Sequence, residues 1–186
     1  MAHRVCPWWI GYFLLSPLRR FGQNPHEILG PYVHEGQTVL EPGPGMGFFT
    51  LEAARLVGRS GRIVAVDIQP KMLDGLRRRV EKAGLLDRIE VRLAATNSLN
   101  VADLANSVDF TLAFAVVHEL PDTVRFFQEV ATVSKAGAQL LLAEPKGHVK
   151  AADFSNELHL AADAGFELAT QPTIARSHTA LLRKKG

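Results

Sequence analysis

The sequence predicts an α/β fold in which a mostly parallel β-sheet is covered by helices on both faces. Short apolar runs alternate along the chain with longer runs of helical periodicity, as in sheets whose strands are joined by crossover helices. No internal repeat or low-complexity linker interrupts the pattern. The length of 186 residues and the hydrophobic fraction of 47% fit one domain with a sizeable core.

The predicted strands are short runs that are apolar or that alternate between apolar and polar residues. In chain order they are residues 38–40, 63–66, 89–93, 108–115, 139–143, 166–170 and 178–182. The segments between them carry helix signals, such as the N-cap residue Asn24 before Pro25 and the helix-ending Gly84. Helices are predicted from Pro25 onward, over residues 48–56, from Pro70 to before Gly84, around residues 124–130 and over residues 152–164.

The N-terminal residues 1–33 are interpreted as a helical extension of a core at 34–186, within a single domain. The apolar run 5–18 is too short to span a bilayer and fits a signal peptide poorly. We expect a lid that packs on the core, with Trp9 and Tyr12 as candidate substrate contacts. An interfacial membrane contact through Trp8 and Trp9 is the alternative.

The composition gives little reason to expect other partners. A net charge of +2 does not call for nucleic acid, and the basic run 77–79 fits a solvated helix face. The single cysteine rules out a disulfide within the chain and a multi-cysteine zinc site, which fits a cytoplasmic setting. The seven histidines form no ligand pair at helical spacing, so no metal is expected.

The most specific motif is the glycine-rich segment 41–47, which reads E-P-G-P-G-M-G directly after the first strand. Gly43, Gly45 and Gly47 let the backbone turn sharply and approach a ligand at the start of the next helix. The dinucleotide spacing G-x-G-x-x-G fails here, and the P-loop lysine is missing. Glu41 would repel a pyrophosphate and attract a cationic amine. The loop therefore favours a nucleoside that carries positive charge.

Asp67 strengthens this interpretation because it ends the second strand about 20 residues after the glycine loop. A carboxylate at this place accepts hydrogen bonds from ribose hydroxyls. In an open α/β sheet, the loops after the strands meet at one crevice. Asn97, His118, Glu144 and His148 follow other predicted strands and are expected at the same edge.

With these motifs the chain resembles the class I methyltransferases that depend on S-adenosylmethionine (SAM), over about residues 24–186. The resemblance rests on the glycine loop, the strand-end Asp67, the stretch from Asp109 to His118, the turn at Lys135 to Gly137 and the C-terminal hairpin. It implies a Rossmann-like, doubly wound three-layer sandwich of order 3-2-1-4-5-7-6 with strand 7 antiparallel. It also implies SAM as the cofactor and S-adenosylhomocysteine (SAH) as the product.

The resemblance further implies roles for the cofactor-binding residues. Glu41 would reach the methionine amine, usually through water, Asp67 would hold the ribose and Ile68 would pack on adenine. The family often has an acid after the third strand that contacts the adenine amino group. In this sequence either Asn97 substitutes for that acid or backbone groups suffice.

His118 is the candidate catalytic residue, because the family places residues that face the methyl group in the loop after the fourth strand. It acts either as a general base or as a wall of the pocket. Glu119 is interpreted as structural or as an orienter of His118. Glu144 and His148 are candidate substrate contacts, with an ordinary surface turn as the alternative.

The sequence predicts a small-molecule methyl acceptor. Ribosomal RNA adenine dimethyltransferases carry an N-[LP]-P-[YF] motif after the fourth strand, whereas residues 116–119 read V-V-H-E and offer no aromatic platform. The loop is more similar to the branch that methylates quinone precursors or metalloid species, and the single cysteine disfavours arsenic. RNA methylation and a non-catalytic SAM-binding role remain the alternatives.

Overall fold

The computed structural model describes residue 19 and residues 22–186. Its seven strands all coincide with predicted ones to within a few residues, except that the fifth begins earlier. They are β1 (Thr38–Pro42), β2 (Arg62–Asp67), β3 (Ile89–Leu93), β4 (Val108–Phe114), β5 (Ser134–Pro145), β6 (Phe166–Thr170) and β7 (Ser177–Lys184).

The strands form one sheet of order β3-β2-β1-β4-β5-β7-β6, as expected. The first five strands pair in parallel, and β7 pairs antiparallel with both β5 and β6. β1 lies between β2 and β4, so the chain reverses its direction of winding at β1. This is the switch point at which open α/β sheets bind ligands.

Helices cover both faces of the sheet and produce the predicted three layers. They are α1 (Pro25–Leu29), α2 (Thr50–Leu56), α3 (Pro70–Lys82), α4 (Thr123–Val133) and α5 (Ala151–Asp163). The first three helices pack in one buried apolar cluster, and α4 and α5 pack in a second cluster on the other face. Residues of β1, β2 and β4 alternate between the two clusters, because side chains of a strand point to opposite faces in turn.

Local signals explain where two of the helices begin. The side chain of Asn24 accepts a hydrogen bond from the backbone N–H of His26 at the start of α1. Asp122 caps α4 in the same way, by accepting from the backbone N–H of Arg125. Such caps satisfy N–H groups that have no partner within the helix.

The segment before the apolar part of β5 differs from the expected turn. Lys135 to Gly137 are counted within β5, but the register with β4 jumps, because Val108 pairs with Ser134 and Phe110 pairs with Gln139. Gly137 has a φ of +78°, which bends the backbone at this irregularity. The predicted turn is thus a bulge within a longer strand.

No helix within the described part of the chain is long and apolar enough to cross a membrane.

Candidate active site

A cavity of about 910 Å³ opens at the carboxyl ends of the parallel strands. Its wall includes the glycine loop after β1, Asp67 at the end of β2, residues 94–99 after β3 and His118 after β4. The volume lies in the range of pockets that enclose most of a ligand of drug or cofactor size. The structure therefore brings the side chains that follow separate strands to one crevice.

The glycine loop is shaped by three residues with positive φ. Gly43, Gly45 and Gly47 have φ values of +66°, +54° and +83°. A Cβ at Gly43 would lie 2.6 Å from a methyl of Val116, and one at Gly47 would lie 2.5 Å from a methyl of Leu76. At Gly45 a Cβ would meet nothing within 4 Å. The outer glycines allow close packing, and the central one faces open space.

Glu41 is buried beside this loop with 4% of its surface exposed. Its Oε2 atom has no hydrogen-bond partner in the part of the chain that the structure describes. Burial, together with the nearby carboxylate of Asp67, raises the pKa of Glu41 to about 7, against the opposite effect of Thr50. A buried oxygen without a partner is costly, so a ligand with a cationic amine fits this position well.

Asp67 lies at the cavity wall and is also buried. Its Oδ1 accepts a hydrogen bond of 2.8 Å from the backbone N–H of Gln69. Burial raises the pKa of Asp67 to about 6, against the effect of its backbone hydrogen bonds. Ile68 is 40% exposed and borders the same cavity, as does Asn97. The four residues expected to bind the cofactor besides the glycines therefore all border this cavity, and we call this part of it the cofactor half: Glu41, Asp67, Ile68 and Asn97.

The loop after β4 begins with an unusual backbone conformation. Ala115 has a φ of +56°, and its N–H donates to the carbonyl of Ala143 on β5. Val116 then packs against Gly43, and residues Val117–Glu119 form a 3-10 turn that carries His118. A non-glycine residue in the left-handed region is strained and often marks a functional site. After this turn, His118 lies at the cavity wall together with the glycine loop.

His118 forms a hydrogen bond through Nδ1 to Oε2 of Glu144, the residue near the end of β5. Glu144 is fully buried, and its other oxygen accepts from the backbone N–H groups of Val116 at 3.2 Å and Val117 at 2.9 Å. The pairing of Phe114 with Ala143 explains the contact, because the residues that follow each partner leave the sheet side by side. Glu144 thus fixes both the loop and the imidazole.

The acid–base properties of His118 follow from this contact. Burial alone would lower its pKa, but the hydrogen bond and the negative charge of Glu144, helped by Glu119, raise it above its ordinary value. Since Nδ1 is engaged by Glu144, Nε2 is the ring nitrogen that remains for a ligand in the cavity that His118 borders. Glu119 lies 3.9 Å from Nε2, beyond hydrogen-bond distance.

Two sequence expectations are corrected at this point. Glu144 was expected as a substrate contact, but it is buried behind His118 and does not border the cavity, because its carboxylate is used by the loop. Of the two roles predicted for Glu119, structural or an orienter of His118, the orienting hydrogen bond is made by Glu144 instead. His148 does border the cavity, and its ring lies 5.7 Å from that of His118. Trp9 and Tyr12 lie outside the described residues.

Three further residues near the site were not singled out from the sequence. The guanidinium of Arg19 lies 4.3 Å from the ring centre of Phe48 at the cavity wall. Arg79 on α3 donates a hydrogen bond to the carbonyl of Met46 in the glycine loop, although the basic run 77–79 was interpreted as solvated.

Glu157 on α5 is buried near Glu144. Only Glu157 has a sequence signal, since Phe154, Glu157 and Ala161 follow the spacing of an inward helix face.

The fold and the cavity together define a class I, SAM-dependent methyltransferase fold. A family model described as a methyltransferase domain matches residues 33–179. The chain therefore belongs to this methyltransferase-domain family, whose cofactor is SAM.

Individual relatives agree with this assignment. The chain is similar to an arsenite methyltransferase of Halobacterium salinarum, with 31% identity over 69% of this chain and 32% of the relative. It is also similar to a ubiquinone/menaquinone biosynthesis C-methyltransferase of Klebsiella pneumoniae, with 33% identity over 60% of this chain and 44% of the relative. The chain thus spans less than half the length of these relatives.

Among solved structures, a SAM-dependent methyltransferase from Aquifex aeolicus superposes on the chain with a TM-score of 0.83. The two are 25% identical, and the match covers 96% of this chain and 98% of the other. A likeness over nearly the whole of both chains supports the assignment of the fold.

Proposed function

We propose that this domain transfers a methyl group from SAM to a small organic acceptor whose nucleophilic atom carries a proton, with His118 as the general base. The observation that carries the proposal is the contact of His118 with the buried Glu144 beside the cofactor loop. A histidine held by a carboxylate through Nδ1 is oriented to accept a proton at Nε2.

The placement of the cofactor follows from the cavity wall. Glu41 would bind the methionine amine, since its buried Oε2 has no partner within the protein. Asp67 would accept from the ribose hydroxyls, Ile68 would pack on adenine and Asn97 would meet the adenine edge, as their positions along the wall allow. Gly45 leaves room for the ligand next to the backbone.

Bound SAM supplies an electrophilic methyl on a positively charged sulfur. The residues of this chain hold the acceptor in line with that methyl, which accounts for roughly 7–11 kcal/mol of a barrier of this type. The acceptor atom would bond to the methyl carbon, and the electron pair of the broken carbon–sulfur bond would stay on sulfur, so that the cofactor would leave as SAH. The proton of the acceptor goes to Nε2 of His118, and Glu144 stabilises the resulting cation.

The type of acceptor follows from the cavity and from the composition. The wall combines aromatic rings (Phe48, Phe49 and Phe114) with the imidazoles of His118 and His148, which suits an apolar or aromatic compound with an acidic O–H, N–H or C–H group. The relatives named for arsenite and for quinone biosynthesis suggest two acceptor classes. A single cysteine in the chain cannot provide a set of thiolates for arsenite, so the organic class is favoured.

The test combines binding and turnover. Calorimetry with SAM and SAH measures cofactor binding, and incubation with methyl-labelled SAM and a metabolite extract identifies the labelled product. We expect a labelled small organic compound with the wild-type protein, and none with His118→Ala at unchanged SAM affinity. His34→Ala removes an exposed histidine away from the cavity and serves as the matched control.

Other results would contradict separate parts of the proposal. A failure to bind either SAM or SAH would rule out the cofactor site. Label in RNA alone, or methylation of arsenite, would rule out the organic acceptor. Full turnover of His118→Ala on the identified acceptor would rule out the base.

A further inference from the structure

A third titratable group lies behind His118 and Glu144 and has no part in the mechanism above. Glu157 is on the inward face of α5, with 7% of its surface exposed. Its Oε2 atom is buried and has no hydrogen-bond partner among the described residues. His118, Glu144 and Glu157 come from three separate segments. Phe154, about one turn before Glu157 on α5, stacks on the ring of His178 with 5.4 Å between ring centres, and His178 is the partner of Glu144 in the pairing of β5 with β7. This packing brings α5 against the end of β5 that carries Glu144, and electrostatic interactions couple the three groups.

The hydrogen bonds show which of the two carboxyl groups carries the negative charge. Glu144 accepts from two backbone N–H groups and contacts His118, and all three contacts favour the ionised form. Glu157 lacks such support at Oε2. Two carboxylates that share a buried site do not both ionise readily. Burial therefore raises the pKa of Glu157 to about 8, and the charge of Glu144 adds to the effect while His118 opposes it.

Other charged groups lie on α5 and on the elements that pack against it, each at its own position or with its own partner. Asp153 lies one turn earlier on α5 and is exposed, and His178 on β7 pairs opposite Glu144. On the elements that pack against α5, the acids form ion pairs of their own. These pairs are Arg125 with Glu129 on α4, and Glu167 on β6 with Arg183 on β7. Near the site, Glu119 and His148 lie beside His118.

We propose that Glu157 is a positioning residue that acts as a neutral acid. It limits the buried cluster to one negative charge, which stays on Glu144 and holds Nδ1 of His118. The inference rests on the base role proposed for His118. A second negative charge would strengthen the hold of His118 on its proton, and the imidazole would release that proton only at a higher pH.

The test is an NMR titration of the histidine signals between pH 5 and 10 in the complex with SAH. In the wild-type protein we expect His118 to titrate in two overlapping steps, because Glu157 ionises within the same range. In Glu157→Gln, which is neutral and of similar shape, we expect one step with a midpoint lower by about one pH unit. The His118→Ala variant assigns the signal, and Asp153→Asn is the matched control on the same helix, with the wild-type curve expected.

A stability measurement checks that Glu157 is neutral in the folded protein. Its pKa is raised from the ordinary 4.5 to about 8, so the wild-type fold loses stability as the pH rises through this window. The Tm of Glu157→Gln minus that of the wild type should therefore grow between pH 5 and pH 8 and stay level above it. If Glu157→Gln folds poorly, Glu157→Leu tests the same neutral state, with the same single titration step expected.

Wild-type and Glu157→Gln titration curves that coincide would overturn the proposal, as would a Tm difference that does not change with pH. Neither readout needs methyl transfer. A failure of the proposed reaction, seen as full turnover by His118→Ala, is therefore distinguishable from a failure of this inference.

Discussion

The two halves of the cavity both contain buried carboxyl groups, but they satisfy them in different ways. In the cofactor half, Glu41 has an oxygen without a protein partner and Asp67 accepts mainly from neighbouring backbone. In the half beside His118, the carboxylate of Glu144 is fully engaged by the loop after β4 and by the imidazole. In the function proposed above, a cationic ligand completes the cofactor half, whereas the other half is completed by the protein itself.

This difference separates binding from chemistry. Removal of a charge in the cofactor half should weaken SAM binding, because the ligand is the missing partner. Removal of the charge near His118 should leave SAM binding intact and affect the reaction. Four experiments test this separation, from the largest expected effect, on catalysis, to the smallest, on SAM binding.

The largest effect is expected from Glu144→Gln. The amide oxygen can still accept from the backbone of Val116 and Val117, but its NH2 group would donate to Nδ1 of His118. The imidazole would then carry its proton on Nε2 and could not accept another from the acceptor. We expect kcat to fall about 10²- to 10⁴-fold, while calorimetry shows SAM affinity within about threefold of the wild type, less than the effect of one charged hydrogen bond. A comparable loss of SAM affinity would erase the separation between the two halves.

A smaller effect, on binding alone, is expected from Glu41→Gln. Loss of a charge-assisted contact to the methionine amine should weaken SAM binding about 10- to 100-fold. Because the pKa of Glu41 is about 7 in the free protein, a proton must leave when SAM binds below that pH. Wild-type affinity should therefore rise between pH 5.5 and 7.5, and the variant should lose much of this rise.

Calorimetry at several pH values measures this dependence. Glu81→Gln changes an exposed glutamate on α3 and should match the wild type. An unaltered pH dependence in Glu41→Gln would show that another group, with Asp67 first, binds the amine.

The glycine loop offers a pair of variants that separates folding from binding. In Gly47→Ala the new methyl would lie 2.5 Å from Leu76 and 2.8 Å from Leu51, at a φ of +83°. We expect a loss of unfolding free energy of about 2–4 kcal/mol, from overpacking and backbone strain together. In Gly45→Ala the methyl would enter open space, so we expect a loss of unfolding free energy of only about 1–2 kcal/mol, from backbone strain. Relative to this loss of stability, we expect Gly45→Ala to weaken SAM binding more than Gly47→Ala does.

Thermal unfolding with and without SAH measures both quantities. A Gly45→Ala protein that binds SAM as tightly as the wild type would show that the ligand does not lie against this glycine.

The smallest effect is expected from Arg79→Ala. This side chain donates to the carbonyl of Met46 and so supports the glycine loop from α3. We expect SAM affinity to fall about three- to tenfold, as for a hydrogen bond of about 1 kcal/mol, with kcat little changed. Its neighbour Arg78 is exposed, so Arg78→Ala is the matched control. Equal affinities of the two variants would show that Arg79 does not shape the loop.

Much of the fold was predictable from the sequence because its signals are local. The strands and the helix start at Asn24 are confirmed, and so is the order of the sheet, which the family resemblance implied. The turn predicted at Lys135 to Gly137 is an irregularity within β5 instead, between Ser134, which pairs with Val108, and Gln139, where the continuous pairing with β4 and β7 begins. The roles of Asp67, Asn97 and His118 stay predictions, although each lies at the cavity wall as expected.

The second half of the site depended on packing that no local pattern reports. The sequence placed Glu144 after a strand, but only the register of β4 against β5 shows that it turns inward, under His118. Glu157 has the spacing of a buried helix position, yet its charge argued for an exposed one. The packing of α5 on the sheet decided that Glu157 is buried.

By itself, the sequence determined the order of the elements, the glycine loop and the carboxylates that follow the first two strands. These depend on short-range rules: the periodicity of side chains, the backbone freedom of glycine and the place where a parallel strand ends. The tertiary structure alone decided that His118, Glu144 and Glu157 share one buried cluster. Their proximity arises from elements 13 to 39 residues apart in the chain, and the acid–base behaviour of each depends on how far the others exclude water and supply charge.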